Sequence, residues 1–264
     1  MRPIVLRRVT ATRYVTPLRE GGSLPAIVEA DDAGLYVLKF RGAGQGPRAL
    51  VAEVLAGELA RALGLRVPEL VLAELEPELG RAEPDSEIRG LLKASAGLNL
   101  GVDYLPGSIT FDPVAGPAPN AAEASDVVCF DSYVLNVDRT AKNPNLLCWH
   151  HALWLIDHGA ALYFHHAWKD AQKSVTSPFV PIGHHVLLPW ATGLRGAEAK
   201  LHQRLTKDVL EGVVELLPDD WLMEEAGFEG PKAQRAGYLA WLTARLATSE
   251  TFVKEAERAR AQLL

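Results

Sequence analysis

The stretch NVDRTAKNPNLL, Asn136 to Leu147, sets three Asn, one Asp, one Arg and one Lys between two apolar elements. CFDSYVL (Cys129 to Leu135) before it reads as the end of a buried helix. CWHHALWLID (Cys148 to Asp157) after it reads as a buried hairpin. If LLCW and LWLI pair as antiparallel strands, the turn falls at His150–Ala152, and residues 143 and 157 meet at the open end. Asp138, Asn143 and Asp157 then gather in one place, and all three offer oxygen donors. Oxygen is what Mg²⁺ prefers, from a few protein groups completed by phosphate and water. A plainer reading stays open beside it: Asp and Asn are common turn residues, and Arg139 has only to pair with a nearby carboxylate.

Upstream, the chain reads as β-rich. VLRRVTATRY is a strand; AIVEA and LYVLKF flank DDAG (Asp31 to Gly34), a hairpin signal. Lys39 ends LYVLKF, where a charge in an apolar strand needs a reason. From Pro47 the periodicity turns helical, with Val51, Val54, Leu55, Leu59, Ala62 and Leu63 as an apolar stripe and Gly64 as the stop. Glu53 lies near that stripe, and Glu58 is its rival as a partner for Lys39. The alternative for Lys39 is a strand-edge residue with its amine in water. Gly21, Gly22 and Ser23 precede the hairpin and are candidates for presenting backbone N–H groups to phosphate. LRVPELVLAELE reads as strand, PELGRAEPDSEIRGLLKAS as loop and short helix, and GLNLGVDYLPGS as an extended segment. FDPVAGPAPNAA is the best linker candidate. A helix covers 123–135, and 198–264 is helical, broken at PDD and GFEGP.

Composition narrows the class. At 264 residues, with 48% hydrophobic and 23% charged residues, the chain has the balance of an ordinary globular protein with a sizeable core. A formal net charge of -6 argues against a nucleic-acid partner held by phosphate neutralisation. No apolar run approaches a membrane span, and the N-terminus lacks the core and cleavage site of a signal peptide. Two cysteines in apolar settings, Cys129 and Cys148, read as free thiols in a reducing cytoplasm. GAGQGP lies between strand and helix, but Pro47 stands where the dinucleotide fingerprint needs its last Gly, and no Lys-Ser/Thr pair follows. The His pairs at 150–151, 165–166 and 184–185 raise a metal-hydrolase alternative, without zinc-ligand spacing to support it.

The pattern Asp138, Asn143 five residues later, then Asp157-His158-Gly159, follows the logic of protein-kinase catalytic and metal residues, with Lys39 as the strand lysine. At YVLKF, at VAEVLAGELARALGL followed by VPE, at NVDRTAKNPNLL and at LIDHGAAL, the chain resembles the HipA-like kinase family of bacteria. The D-R-x-x-x-N run also resembles the catalytic loop of phosphoinositide-type kinases. The resemblance implies an α+β, two-lobed protein-kinase-like fold: a β-rich nucleotide-binding lobe over 1–108 and a mostly helical lobe over 109–264 with the catalytic loop and metal site. It implies ATP and Mg²⁺ as cofactors, Lys39 on the phosphates, Glu53 orienting Lys39, Asp138 as catalytic base, and Asn143 and Asp157 on the metal. Val102, Asp103, Tyr104 and Leu105 become the candidate adenine-contacting hinge. Family members often carry D-R-H, whereas Thr140 follows Arg139 here, and the expected form is compact, without an extra N-terminal subdomain.

The resulting expectation is a cytoplasmic, ATP- and Mg²⁺-dependent serine/threonine protein kinase with an unidentified acceptor and no membrane or direct nucleic-acid partner. A kinase for a small molecule or lipid head group, and a non-catalytic nucleotide-binding regulator, are the rivals.

Overall fold

A computed structural model describes residues 5–18, 24–44, 46–80, 83–222 and 227–263. Gly21, Gly22 and Ser23 lie outside the described residues.

Five strands close into a barrel in the order β1-β2-β3-β5-β4. They are β1 (Arg7–Pro17), β2 (Ala26–Ala30), β3 (Leu35–Lys39), β4 (Leu70–Leu75) and β5 (Gly97–Asp103), and a parallel β1·β4 pairing completes the ring. Alternation decides which residues point inward: Val9, Ala11, Val28, Ala30, Leu38 and Val71 fill the barrel as a core of their own. Several of these positions are small because the ring is tight. At Gly101 a Cβ would lie 2.7 Å from Val71 Cγ2, so β5 approaches β4 only with hydrogen there. The β2–β3 hairpin turns where DDAG predicts it, with Asp32 Oδ1 accepting from Gly34 N at 2.9 Å.

Helix α1 (Pro47–Ala62) starts with Pro at its first turn, as expected, but it is no stripe helix. Every residue from Leu50 to Ala60 is buried, Glu53 and Glu58 included. The reason is that α1 is covered on more than one side. Gly57 brings it against Leu70 of β4, while α6 (Lys207–Val214) and the turn around Trp221 cover it elsewhere. Its apolar residues belong to one continuous core with those of the helical half. A short α2 (Ser86–Ala94), capped by Asp85, leads into β5.

The FDPVAGPAPNAA segment is flanked by order. Before it, β6 (Ile109–Thr110) pairs with β7 (Leu146–Trp149), which pairs with β8 (Ala152–Leu155). After it, α3 (Ala121–Val134) begins two residues earlier than the periodicity predicts, because Asn120 Oδ1 caps Ala122 N and Glu123 N. The β7–β8 turn is two residues, His150 and His151, both at positive φ. Helices α4 (Ala171–Val175), α5 (Leu194–Arg204), α6, α7 (Pro231–Ala247) and α8 (Ser249–Ala261) complete the fold. Arg245 of α7 is fully buried and donates to the carbonyls of Val175 and Ser132, tying α4 and α3 to α7. No helix among the described residues is long and apolar enough to cross a membrane.

Candidate active site

Lys39 ends β3 at the mouth of the barrel, and its strand position aims the ammonium toward α1. Its Nζ pairs with Glu53 and lies 2.7 Å from Asp157 Oδ1. Glu58, the rival partner, is held instead by Arg61, whose guanidinium also donates to the carbonyls of Val67 and Pro68. Glu53 is fixed from the other side by two backbone donors: His158 N to Oε2 at 2.9 Å and Gly159 N to Oε1 at 3.0 Å. That double contact depends on Asp157 taking a left-handed backbone, φ 54, which turns the next two amides toward α1. Gly159 suits the close approach, since a Cβ there would sit 3.3 Å from Glu53 Oε1.

The charges respond to this geometry. Burial alone would lower the Lys39 ammonium, but the Glu53 and Asp157 carboxylates outweigh it and hold it well above its usual value. Burial alone would raise Glu53, and the Lys39 charge with the His158 contact brings it well below the ordinary carboxylate range. Asp157 moves the other way. Although its carboxylate is half exposed, desolvation by the walls of the cleft, with Glu53 adding to the effect, outweighs Lys39 and pushes it up. A second cation beside Asp157 would relieve that cost.

Opposite stands the loop Asn136 to Leu147. α3 ends with Leu135 in a left-handed cap, and the loop leaves with Asp138 N donating to Asn136 Oδ1 at 3.2 Å. Asn143 Nδ2 donates to Asp138 Oδ2 at 2.8 Å, which leaves its Oδ1 without a hydrogen bond to a described residue. Asn145, nearly buried, also reaches Asp138 Oδ2, at 3.4 Å. Beneath the loop the Arg139 side chain is wholly buried. Its Nε donates to Asp131 Oδ2 at 2.6 Å and its Nη1 to the carbonyls of Asn145 and Ile156.

Lys39, Glu53, Asp138, Asn143 and Asp157 all line one cleft of about 1190 Å³. Val102, Asp103, Tyr104 and Leu105 line it too, with Val37, Leu147 and Ile156 as apolar wall. The amides of Asp103 and Tyr104 are engaged by the carbonyls of Glu69 and Leu35. The Leu105 amide makes no hydrogen bond to another described residue. For a metal, the free Oδ1 of Asn143 and the half-exposed Asp157 carboxylate are hard oxygen donors on the same cleft, the donor chemistry that suits Mg²⁺.

The histidine pairs do other work. His150 and His151 form the hairpin turn, His165 Nδ1 is 3.1 Å from Tyr238 Oη, and His185 Nε2 is 2.9 Å from Asp131 Oδ2. Among the described residues, no cluster of His, Cys, Asp and Glu is arranged to hold a metal ion by itself. Sequence reasoning missed Asp131, Asn136 and His185. Asp131 did carry a signal, a carboxylate inside the apolar run VVCFDSYVL; His185 stood out only as half of a His pair, which pointed to a metal rather than to Asp131.

Comparison with known proteins bears on the fold and the family. No curated protein matches the chain by sequence. The solved structure of the proinflammatory kinase CtkA of Helicobacter pylori superposes with a TM-score of 0.57 at 12% identity, over 96% of this chain and 98% of its own. The Golgi casein kinase, solved with Mn and ADP bound, superposes with a TM-score of 0.50 at 13% identity, over 98% of this chain and 75% of its own. Identities that low establish the two-lobed kinase fold and nothing finer. The family model for HipA-like kinases matches residues 12–252, and the chain belongs to that family.

Proposed function

We propose that the chain is an ATP- and Mg²⁺-dependent phosphotransferase whose acceptor is a serine or threonine hydroxyl of a protein. The observation that carries this reading is the Lys39 bridge between Glu53 and Asp157, facing the Asp138–Asn143 pair in one cleft. The Mn and ADP bound to the Golgi casein kinase support the use of a nucleotide with a divalent ion. Residues 1–108 would serve as the nucleotide-binding lobe and 109–264 as the lobe holding acceptor and metal. Free Cys129 and Cys148 fit a cytoplasmic setting, and burial pushes the Cys129 thiol up and out of reach of chemistry.

In mechanism, the Val102–Leu105 backbone takes the base edge, with the Leu105 amide as the free donor. Lys39 binds phosphate oxygens, and Glu53 holds Lys39 against the cleft. Asn143 and Asp157 would hold Mg²⁺, which when bound supplies positive charge against the phosphates. Asp138 accepts the hydrogen bond of the acceptor hydroxyl and aligns it for in-line attack. Positioning and electrostatics then supply most of the rate.

The test is transfer from γ-labelled ATP by pure protein, alone and with cell lysate, followed by phosphoamino-acid analysis of what becomes labelled. Label in serine or threonine is the expected result. Label confined to lipid or small-molecule fractions shifts the acceptor class. Nucleotide binding with no transfer to anything favours a non-catalytic regulator.

A further inference from the structure

Asp138 sits in an irregular loop, and the hydrogen bonds it makes, to Asn136, Asn143, Asn145 and Thr140, all stay within that loop. What holds it lies one residue on and one layer below. The Arg139 guanidinium joins three places at once: Asp131 of α3, the carbonyl of Asn145, and the carbonyl of Ile156. Asn145, like Asn143, reaches Asp138 with its side-chain amide, and Ile156 directly precedes Asp157. One side chain thus spans both halves of the proposed site.

The same anchor is tied to a distant segment. Arg139 O accepts from Val186 N at 3.0 Å, and Thr140 bridges to His185 in antiparallel fashion. The His185 ring then meets the same Asp131 Oδ2 at 2.9 Å. Its other nitrogen, Nδ1, accepts from Leu187 N at 3.0 Å, so the proton must lie on Nε2 and point at Asp131. Asn136 Nδ2 reaches Asp131 Oδ1 at 3.1 Å. Asp131 is fully buried, with Arg139 and His185 close to it in that respect.

A charge pair this deep contributes little net stability, because desolvation offsets the attraction. Arg139 Nη2 is buried with no partner among the described residues, which is a further cost. The arrangement makes sense as geometry rather than as stabilisation. We infer that Asp131, Arg139 and His185 are positioning residues for phosphoryl transfer, clamping Asp138 and the Asn145–Asp157 hairpin base in register. The inference rests on the kinase reading for its rate consequence, but not for its effect on the loop.

The experiment compares His185→Leu with His185→Gln, whose amide can still donate to Asp131, and adds Arg139→Lys, which keeps charge but loses the planar fork. Hydrogen exchange is followed in peptides covering 136–147 and 155–160, alongside kcat and KM for Mg-ATP. In His185→Leu and Arg139→Lys, exchange of those peptides should rise by about tenfold while barrel peptides stay protected. In the same two variants kcat should fall by about tenfold or more, with KM for ATP held within about threefold. His185→Gln should restore both readouts. Unchanged exchange and kcat in His185→Leu overturns the inference, as does a His185→Gln loss equal to that of His185→Leu. If the native protein transfers no phosphate, the kinase reading fails by itself, and the exchange comparison still decides whether the clamp exists.

Discussion

Lys39 meets two carboxylates, and they do not do the same thing. Glu53 is buried and backbone-anchored, so it fixes the ammonium; Asp157 is half exposed and faces the cleft. Lys39→Met should therefore raise KM for ATP and cut kcat/KM by about 10²-fold or more, as loss of one transition-state donor does. Glu53→Gln should act in the same direction more weakly, since Lys39 keeps its own charge and its Asp157 partner, although the amide oxygen can accept from only one of the His158 and Gly159 amides. Both are read by steady-state kinetics, and a Glu53→Gln variant worse than Lys39→Met contradicts the order. Asn143→Ala and Asp157→Ala should weaken Mg-nucleotide binding, measured by calorimetry with and without EDTA, because each removes an oxygen donor. At this scale much was legible. Lys39 announced itself as a charge in an apolar strand. Asp131 announced itself in the same way within α3, yet its partners lie 8 and 54 residues away in the chain, where local spacing gives no sign of them. Asn145 stands in the sequence only as one of three Asn in a polar run, and is buried within reach of Asp138.

Among the elements, those with a strong local period or a strong stop were readable. The β2–β3 hairpin and the start of α1 fall where turn residues and periodicity place them, while α3 starts two residues early and the β7–β8 turn is one residue shorter than His150–Ala152. β6 did not, because two residues carry no period, and its pairing with β7 is a tertiary event. The burial of α1 beyond its apolar stripe was hidden for a related reason: Gly57 and the Ala positions off the stripe carry no apolar signal of their own, and their packing partners are distant in the chain. Barrel closure hinges on another small residue. Gly101→Val should destabilise the fold by about 1–3 kcal/mol, because the added side chain must displace Val71 and the wall near Tyr36. Chemical denaturation checks this, and a midpoint equal to the native one contradicts the tight-ring account of β5.

For the molecule as a whole, acid and ligand are the levers. His165 is fully buried against Tyr238, and burial, with His166 adding to it, pushes its imidazole down to about 3 from an ordinary 6.5. The unfolded chain therefore takes up this proton first, and stability present above pH 6.5 is lost progressively as the pH falls toward 3. At about pH 5 this one group costs ~2 kcal/mol. His165→Gln should lessen the loss between pH 7.5 and about pH 5 by that amount, and an unchanged pH slope in denaturation contradicts the assignment. Nucleotide acts in the opposite sense: Mg-ATP at about a hundred times its Kd should raise the melting temperature by roughly 5–10 °C. No change with Mg-ATP, against a shift with zinc, favours the hydrolase alternative. The most direct measurement joins transfer to folding. Asp138→Asn keeps the size of the side chain and its hydrogen bond with Asn143 within reach, while removing charge and basicity. The expected result is a transfer rate lower by about 10²–10⁴-fold, with the native melting curve and the native Mg-ATP shift retained. An Asp138→Asn protein that melts as the native one does and transfers phosphate at the native rate would contradict the account.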